Sequence, residues 1–167
     1  MATSPITTSP DPARQLLRHA LATVAYRGGK ALRGAPEHFR TFRIGDKTRT
    51  PAQILAHLGD LFDWALAIAQ GNQTWHDSQP LPWNAGVERF FAAVQKFDGC
   101  LASSEPLHAS AEGLFQGPVA DALTHIGQIA MLRRLAGSPV KGENYLKADI
   151  VAGRVGLEQS APRREFE

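Results

Sequence analysis

Four segments of this sequence carry apolar residues at helical spacing, and each is bounded by residues that begin or end a helix. The clearest beginning is Thr50-Pro51-Ala52-Gln53, which joins a threonine N-cap, a proline at the first helical position and a capping-box glutamine. Gly71, just after this segment, is typical of a helix end. The four segments predict helices near residues 11–32, 50–70, 84–102 and 118–136.

No segment shows the alternation of apolar and polar residues that indicates a half-buried strand. We therefore expect an all-α fold, an up-and-down four-helix bundle with a short irregular C-terminal tail. A chain of 167 residues has the length of one domain. The expected organisation is a disordered leader at 1–10, a single domain at 11–160 and a flexible tail at 161–167, with loops at 34–48, 72–82 and 103–116.

Charge and cysteine content exclude several classes of protein. The net charge is only +2 and the basic residues are dispersed, so we expect no nucleic-acid partner. No apolar run approaches the roughly 20 residues of a membrane span, so we expect no membrane insertion. The single cysteine, Cys100, excludes an internal disulfide and is expected to be a small buried residue. These features predict a cytoplasmic protein.

The fourth predicted helix is apolar over most of VADALTHIGQIAML, residues 119–132, but carries three polar side chains on one face. Asp121, His125 and Gln128 fall within an arc of about 60° on a helical wheel. If they are buried, hydrogen bonds, water or a metal ion must offset the lost hydration of the carboxylate and the imidazole. The alternative is an Asp121–His125 pair at the rim, which stabilises a helix by only about 0.3 kcal/mol.

The second predicted helix carries one histidine, His57, on the buried side of its apolar stripe. If the second and fourth helices are neighbours, His57, Asp121 and His125 converge from two helices. Two imidazoles and one carboxylate suit a divalent zinc, nickel, iron or manganese ion, and three protein ligands leave positions open for water or substrate. Asp60, one turn from His57 and on the flank of the helix, is a rival carboxylate.

Further aromatic and histidine residues are weaker candidates. Tyr145, in the tail, is a candidate to cover the open side of the metal site, and simple packing of the tail is the alternative. The tryptophans either line the mouth of a pocket or belong to the core. The remaining histidines are expected on helix surfaces or in loops, with no partner at metal-ligand spacing. The tryptophans are Trp64, Trp75 and Trp83, and the remaining histidines are His19, His38, His76 and His108.

Three stretches resemble the DinB/YfiT-like superfamily of small four-helix bundles. TPAQILAHLGDLFDW is similar to that family's second helix, whose metal-binding histidine corresponds to His57. DALTHIGQI resembles its histidine-glycine-glutamine motif, at His125, Gly127 and Gln128, and KADIVAGRVGLEQ is similar to the tail of some members. The sequence departs from the family at Asp121, where most members have the third histidine of a three-histidine site. A carboxylate at that position is still a metal ligand.

The resemblance implies a metal-dependent enzyme that acts on a small-molecule substrate. Family members include thiol-dependent S-transferases, a thiol-dependent isomerase and metal-dependent hydrolases, so we expect metal-activated thiol S-transfer or hydrolysis. Because no cysteine of this chain is placed to react, S-transfer requires an external low-molecular-weight thiol. The resemblance also implies a homodimer. The alternative function is a non-catalytic helical bundle that binds a metal or another ligand.

Overall fold

The computed structural model describes residues 11–167, and within them the protein consists mainly of helices. The leader expected at 1–10 lies outside the described residues. None of the described helices combines the length and the hydropathy that crossing a membrane requires. Three predicted helices are confirmed, namely α1 (Pro12–Leu32), α2 (Pro51–Ala69) and α3 (Trp83–Ala102). A 3-10 turn at Glu37–Thr41 lies between α1 and α2.

The fourth long helix begins earlier than the sequence predicted. It consists of α4 (Ala111–Leu114), a π-helical turn (Phe115–Val119) and α5 (Ala120–Leu135). Ser110 is its N-cap, and the Ser110 hydroxyl accepts a hydrogen bond from the amide of Gly113 at 3.1 Å. The loop expected over 103–116 is therefore wrong from residue 111 onward. Pro118, interpreted as a helix start, lies inside the π turn, whose wider ring accommodates a residue without an N–H group.

The order of the helices differs from the alternating up-and-down arrangement that we expected. α1 packs against α3 and α5, and α2 packs against the same two helices, so α1 and α2 lie across the core from each other. Leu55, early in α2, contacts Gly86, early in α3, while Leu66 and Lys96 line one cavity near the ends of both helices. α2 and α3 therefore run parallel. Helical periodicity determines where a helix lies in the sequence but carries no information on its direction.

The connection at 70–82 makes the parallel arrangement possible because it returns along the outside of α2. α2 has 19 residues and is about 28 Å long. The connection at 70–82, if extended at about 3.3 Å per residue, is long enough to span that distance. Residues 72–82 have no regular secondary structure. The amide of Ser78 donates to Asp60 Oδ2 at 2.9 Å, and His76 Nε2 lies 3.1 Å from Asp60 Oδ1. The stretch expected to be a turn-rich loop is thus a crossover connection fixed to α2.

Asp60 also links α2 to α3. Its side chain is 2% exposed, and Arg89 Nη2 donates to Asp60 at 2.7 Å and to Asp63 at 2.8 Å. Arg89 Nη1 donates to the carbonyl oxygen of Ala56 at 2.9 Å. The guanidinium fits against α2 because residue 59 is glycine, and a Cβ at Gly59 would collide with it. One buried carboxylate therefore joins α2, α3 and the crossover.

Large aromatic side chains fill the core between the helices. Phe62, Phe90 and Phe97 are fully buried, and the ring of Phe62 lies 6.0 Å from that of Phe90 and 6.4 Å from that of Phe97. Phe39, in the 3-10 turn, is also fully buried and packs edge-on against Trp83 at 5.6 Å. The connection between α1 and α2 therefore closes one end of the core, and Trp83 is a core residue.

The C-terminal tail packs back on α1. β1 (Gly142–Glu143) and β2 (Glu165–Phe166) form a short antiparallel pair that the sequence did not predict. Lys30 of α1 donates to Glu143 and Glu165, each at 2.7 Å, and Tyr26 donates to Glu143 at 2.7 Å. Residues 165 and 166, which we placed in a flexible tail at 161–167, are thus paired to the rest of the chain.

Asp60→Asn should lower the free energy of unfolding by about 3 kcal/mol, because it leaves the Arg89 guanidinium without its most buried counter-charge. Asp63→Asn is the matched control, since its side chain is 32% exposed and its pairing is worth less than about 1 kcal/mol. Urea unfolding followed by circular dichroism measures both. Equal losses in the two variants would show that Asp60 does not anchor the crossover.

Glu143→Gln should reduce stability at neutral pH and flatten its dependence on pH in acid. Burial alone would raise the pKa of the Glu143 carboxyl, but hydrogen bonds from Lys30 and Tyr26 outweigh it and hold the pKa below its usual value. The stabilisation is therefore complete above the unfolded-state pKa and is lost as the pH falls through the lower folded-state pKa.

Urea titrations at several pH values between 3 and 7 would measure the free energy of unfolding of both proteins. The wild type should exceed Glu143→Gln by about 2 kcal/mol at neutral pH, and this difference should shrink in acid. Glu165→Gln is the control, because that partner of Lys30 is 35% exposed and contributes less. A difference that stays constant across the range would contradict the assignment.

Candidate metal centre

The packing of α2 against α5 brings the three predicted ligands together. His57 Nε2 lies 3.7 Å from Asp121 Oδ2, and His125 Nε2 lies 3.5 Å from Asp121 Oδ1. The two imidazole rings meet edge-on, with their centroids 4.7 Å apart. One donor atom from each of the three residues lies within 4.8 Å of the other two. The condition that the second and fourth long helices be neighbours is therefore met.

The spacing of these donor atoms suits a shared cation better than hydrogen bonds. N–H···O hydrogen bonds have heavy-atom distances of about 2.7 to 3.2 Å, shorter than either distance to Asp121. Two ligand atoms that bind a tetrahedral zinc ion at about 2.1 Å lie about 3.4 Å apart. The observed 3.5 and 3.7 Å, which join the two imidazoles to different oxygens of Asp121, are close to that separation. The residues present therefore fit a divalent metal ion with two nitrogen ligands and a carboxylate.

Gln128 fixes the orientation of one imidazole. Its Oε1 lies 2.8 Å from His125 Nδ1, one turn along the same face of α5. An amide oxygen only accepts, so Nδ1 carries a proton and donates, and Nε2 is the ring nitrogen that faces Asp121. This is the arrangement in which a second residue orients a metal-binding histidine. The polar line predicted on this helix is therefore an acid–histidine pair with a supporting amide.

The surroundings of His57 favour a neutral imidazole. Burial lowers its pKa, and the nearby His125 and Arg49 lower it further. The ring packs edge-on against Trp75, with centroids 5.5 Å apart, and Trp75 packs in turn against Trp64 at 5.8 Å. A neutral imidazole is the form that binds a metal. The crossover connection thus places an aromatic wall beside the ligand.

The site is closed on the histidine side and open on the carboxylate side. The side chains of His57 and His125 are 17% and 12% exposed, whereas that of Asp121 is 46% exposed. His125 and Gln128 also line an open cavity of about 460 Å³ between α5, the start of α2 and the connection before it. That volume lies within the usual range for small-molecule sites. A ligand in this cavity therefore lies beside His125, while Asp121 is reached from solvent.

Two other candidates from the sequence lie elsewhere. Asp60 accepts hydrogen bonds from Ser78 and Arg89 and is not part of the three-residue group. Tyr145 packs edge-on against Tyr26, with ring centroids 6.3 Å apart, and lies beneath the guanidinium of Arg27. Its position against α1 favours the alternative of simple tail packing.

A second group at metal-ligand spacing consists of Asp60, Asp63 and His76. The expectation that His76 has no partner at this spacing is therefore wrong, because the crossover carries it back to α2. Arg89 Nη2 occupies the centre of the group, at 2.7 Å from Asp60, 2.8 Å from Asp63 and 3.3 Å from His76 Nε2. The guanidinium supplies the positive charge there, so we assign this group to the structural network of Asp60.

Sequence reasoning gave Trp75 and Arg49 no specific role at this centre. Trp75 lies in the crossover and contacts His57, and Arg49 immediately precedes the N-cap of α2 and lines the cavity shared with His125. The capping box was the available signal for Arg49, since it places that residue at the start of α2. No local signal in the sequence indicates that the crossover returns to His57.

Comparisons with protein-family models, with curated proteins and with solved structures found no match to this chain.

His125→Ala should weaken the binding of zinc or nickel at least about tenfold, because it removes one of three ligands. The stabilisation that the metal gives to the folded protein should fall with it, since a ligand that binds only the folded state raises stability by mass action. Asp121→His should retain the metal through three imidazoles and shift preference toward zinc or nickel.

His19→Ala is the matched control, because it removes an exposed imidazole from α1 and should leave metal binding unchanged. Elemental analysis, metal titration and thermal unfolding with and without chelator provide the measurements. A melting temperature that ignores both metal and chelator in the wild type would show that the three residues form only a polar cluster.

Proposed function

We propose that this protein is a metal-dependent enzyme of the DinB/YfiT-like type, built as a four-helix bundle. The observation that carries the proposal is the convergence of His57 and His125 Nε2 on the Asp121 carboxylate, at distances longer than hydrogen bonds. The packing of four long helices around an aromatic core is consistent with the bundle. Zinc, nickel, iron and manganese are the candidate metals, because each accepts imidazole and carboxylate ligands.

The three side chains would hold the metal, and the neighbouring residues would prepare them. Gln128 keeps the His125 proton on Nδ1, and the burial of His57 keeps that imidazole neutral. The exposed side of Asp121 leaves an approach for water, thiol or substrate. A divalent metal bound there supplies Lewis acidity, which lowers the pKa of a bound water or thiol toward neutrality.

The sulfur for an S-transfer reaction would have to come from an external low-molecular-weight thiol. Burial raises the pKa of the Cys100 thiol, so it is a poor nucleophile at neutral pH. Cys100 also lines a different cavity, with Leu66 and Lys96 near the C-terminal ends of α2 and α3. Thiol S-transfer and hydrolysis of a small molecule therefore remain the two proposed reactions.

The proposal is tested by turnover before and after removal of the metal. Purified protein should convert a low-molecular-weight thiol and an electrophile such as monochlorobimane, or hydrolyse a nitrophenyl ester, and chelation should abolish that activity. His57→Ala should behave like the chelated protein, since it removes a ligand and leaves the core of α2 in place. His19→Ala should keep wild-type turnover.

Metal binding without turnover in either assay would favour the alternative, a non-catalytic metal-binding or ligand-binding bundle. The absence of both metal and turnover would contradict the whole proposal. The homodimer implied by the resemblance is a separate proposal, which sedimentation at tens of micromolar protein tests.

A further inference from the structure

The cavity beside the candidate metal centre has an apolar wall. Ile44, Met131 and Leu135 line it and are 57%, 54% and 54% exposed, while Ile54 and Leu132 form its buried floor. Large apolar side chains that share one concave surface commonly mark a binding site. No carboxylate lines the cavity within residues 11–167. The surface therefore suits a ligand with an apolar body.

Arg49 is the one charged side chain of this cavity in the described part of the chain. It is exposed and makes no ion pair with any carboxylate of residues 11–167. It also immediately precedes Thr50, the N-cap of α2, where the helix dipole disfavours a positive charge. The Arg49 guanidinium is therefore hydrated by solvent and available to an anionic group that enters the cavity.

The chemistry of the cavity therefore has two parts. A guanidinium binds a carboxylate through two parallel hydrogen bonds, which are stronger than neutral ones. The apolar wall gains free energy by covering hydrocarbon, at about 25 cal/mol for each Å² removed from water. His125 and Gln128 line the same cavity, so a molecule bound there also lies next to His125, one of the three residues of the candidate metal centre.

We propose that this cavity binds the substrate and selects an amphipathic carboxylate, with its hydrocarbon part against Ile44, Met131 and Leu135 and its carboxylate on Arg49. The assignment of this ligand as the substrate rests on the proposed function of the metal centre. The binding site itself does not, because neither Arg49 nor the apolar wall is a metal ligand.

Calorimetric titration with octanoate and with octanamide tests the site. The wild-type protein should bind octanoate, and Arg49→Gln should weaken octanoate binding about tenfold or more, as expected for the loss of a charge-assisted hydrogen bond. Octanamide should bind both proteins within about twofold of each other, because it presents no charge to residue 49. Met131→Ser should weaken the binding of both ligands, since it removes part of the apolar wall.

Arg40→Gln is the matched control. Arg40 lies on the same connection between α1 and α2 and pairs with Glu37 at 3.1 Å, so its loss should leave octanoate binding unchanged. Equal octanoate affinities in wild type and Arg49→Gln, or no binding to the wild type, would overturn the proposal. A third result would also overturn it: octanoate binding that is abolished by chelation but unchanged in Arg49→Gln. The carboxylate would then be held by the metal alone.

The same titrations separate this inference from the proposed function. If elemental analysis finds no metal but octanoate binding still depends on Arg49, the binding site is supported and the metal-dependent activity fails. If metal and turnover are present but octanoate does not bind, the activity stands and the ligand assignment fails. A dimer in sedimentation that Met131→Ser dissociates, together with no octanoate binding, would show that a second copy covers the cavity.

Discussion

The buried carboxylate of Asp60 fixes the crossover at 70–82 to the outside of α2. It accepts hydrogen bonds from the crossover backbone at Ser78 and from Arg89 of α3, while it belongs to α2 itself. A buried ion is stable only when it is paired and hydrogen-bonded, so these partners depend on one another. Gly59 gives the guanidinium the space that it needs. These contacts hold the crossover and α3 against the same side of α2.

That arrangement also assembles the candidate metal centre. Because α2 lies across the core from α1, its free face meets α5, and His57 faces Asp121 and His125. The crossover that returns along α2 carries Trp75 to the edge of the His57 ring. Asp60 and His57 therefore lie one turn apart on α2, where Asp60 binds Arg89 of α3 and His57 faces Asp121 of α5.

Local signals in the sequence were sufficient to predict most helices and to select the three residues that converge between α2 and α5. The capping box at Thr50 and the helical spacing of Asp121 and His125 depend only on nearby residues, and both predictions agree with the structure. The early start of the fourth helix was missed because Pro118 usually ends or begins a helix, and a π turn is not visible in periodicity. The return of His76 and Trp75 to α2 was missed because it depends on helix direction, which is a property of the whole fold.

The π turn before α5 determines which face of that helix meets α2. Each residue of an α-helix advances the chain by about 100°, and a π turn holds one residue more than an α-helical turn. A deletion of one residue within Phe115–Val119 would therefore rotate Asp121 and His125 by about that angle relative to Ser110 and α4. In this helix the length of one turn determines whether Asp121 and His125 face His57, so insertions and deletions here act as rotations of the candidate site.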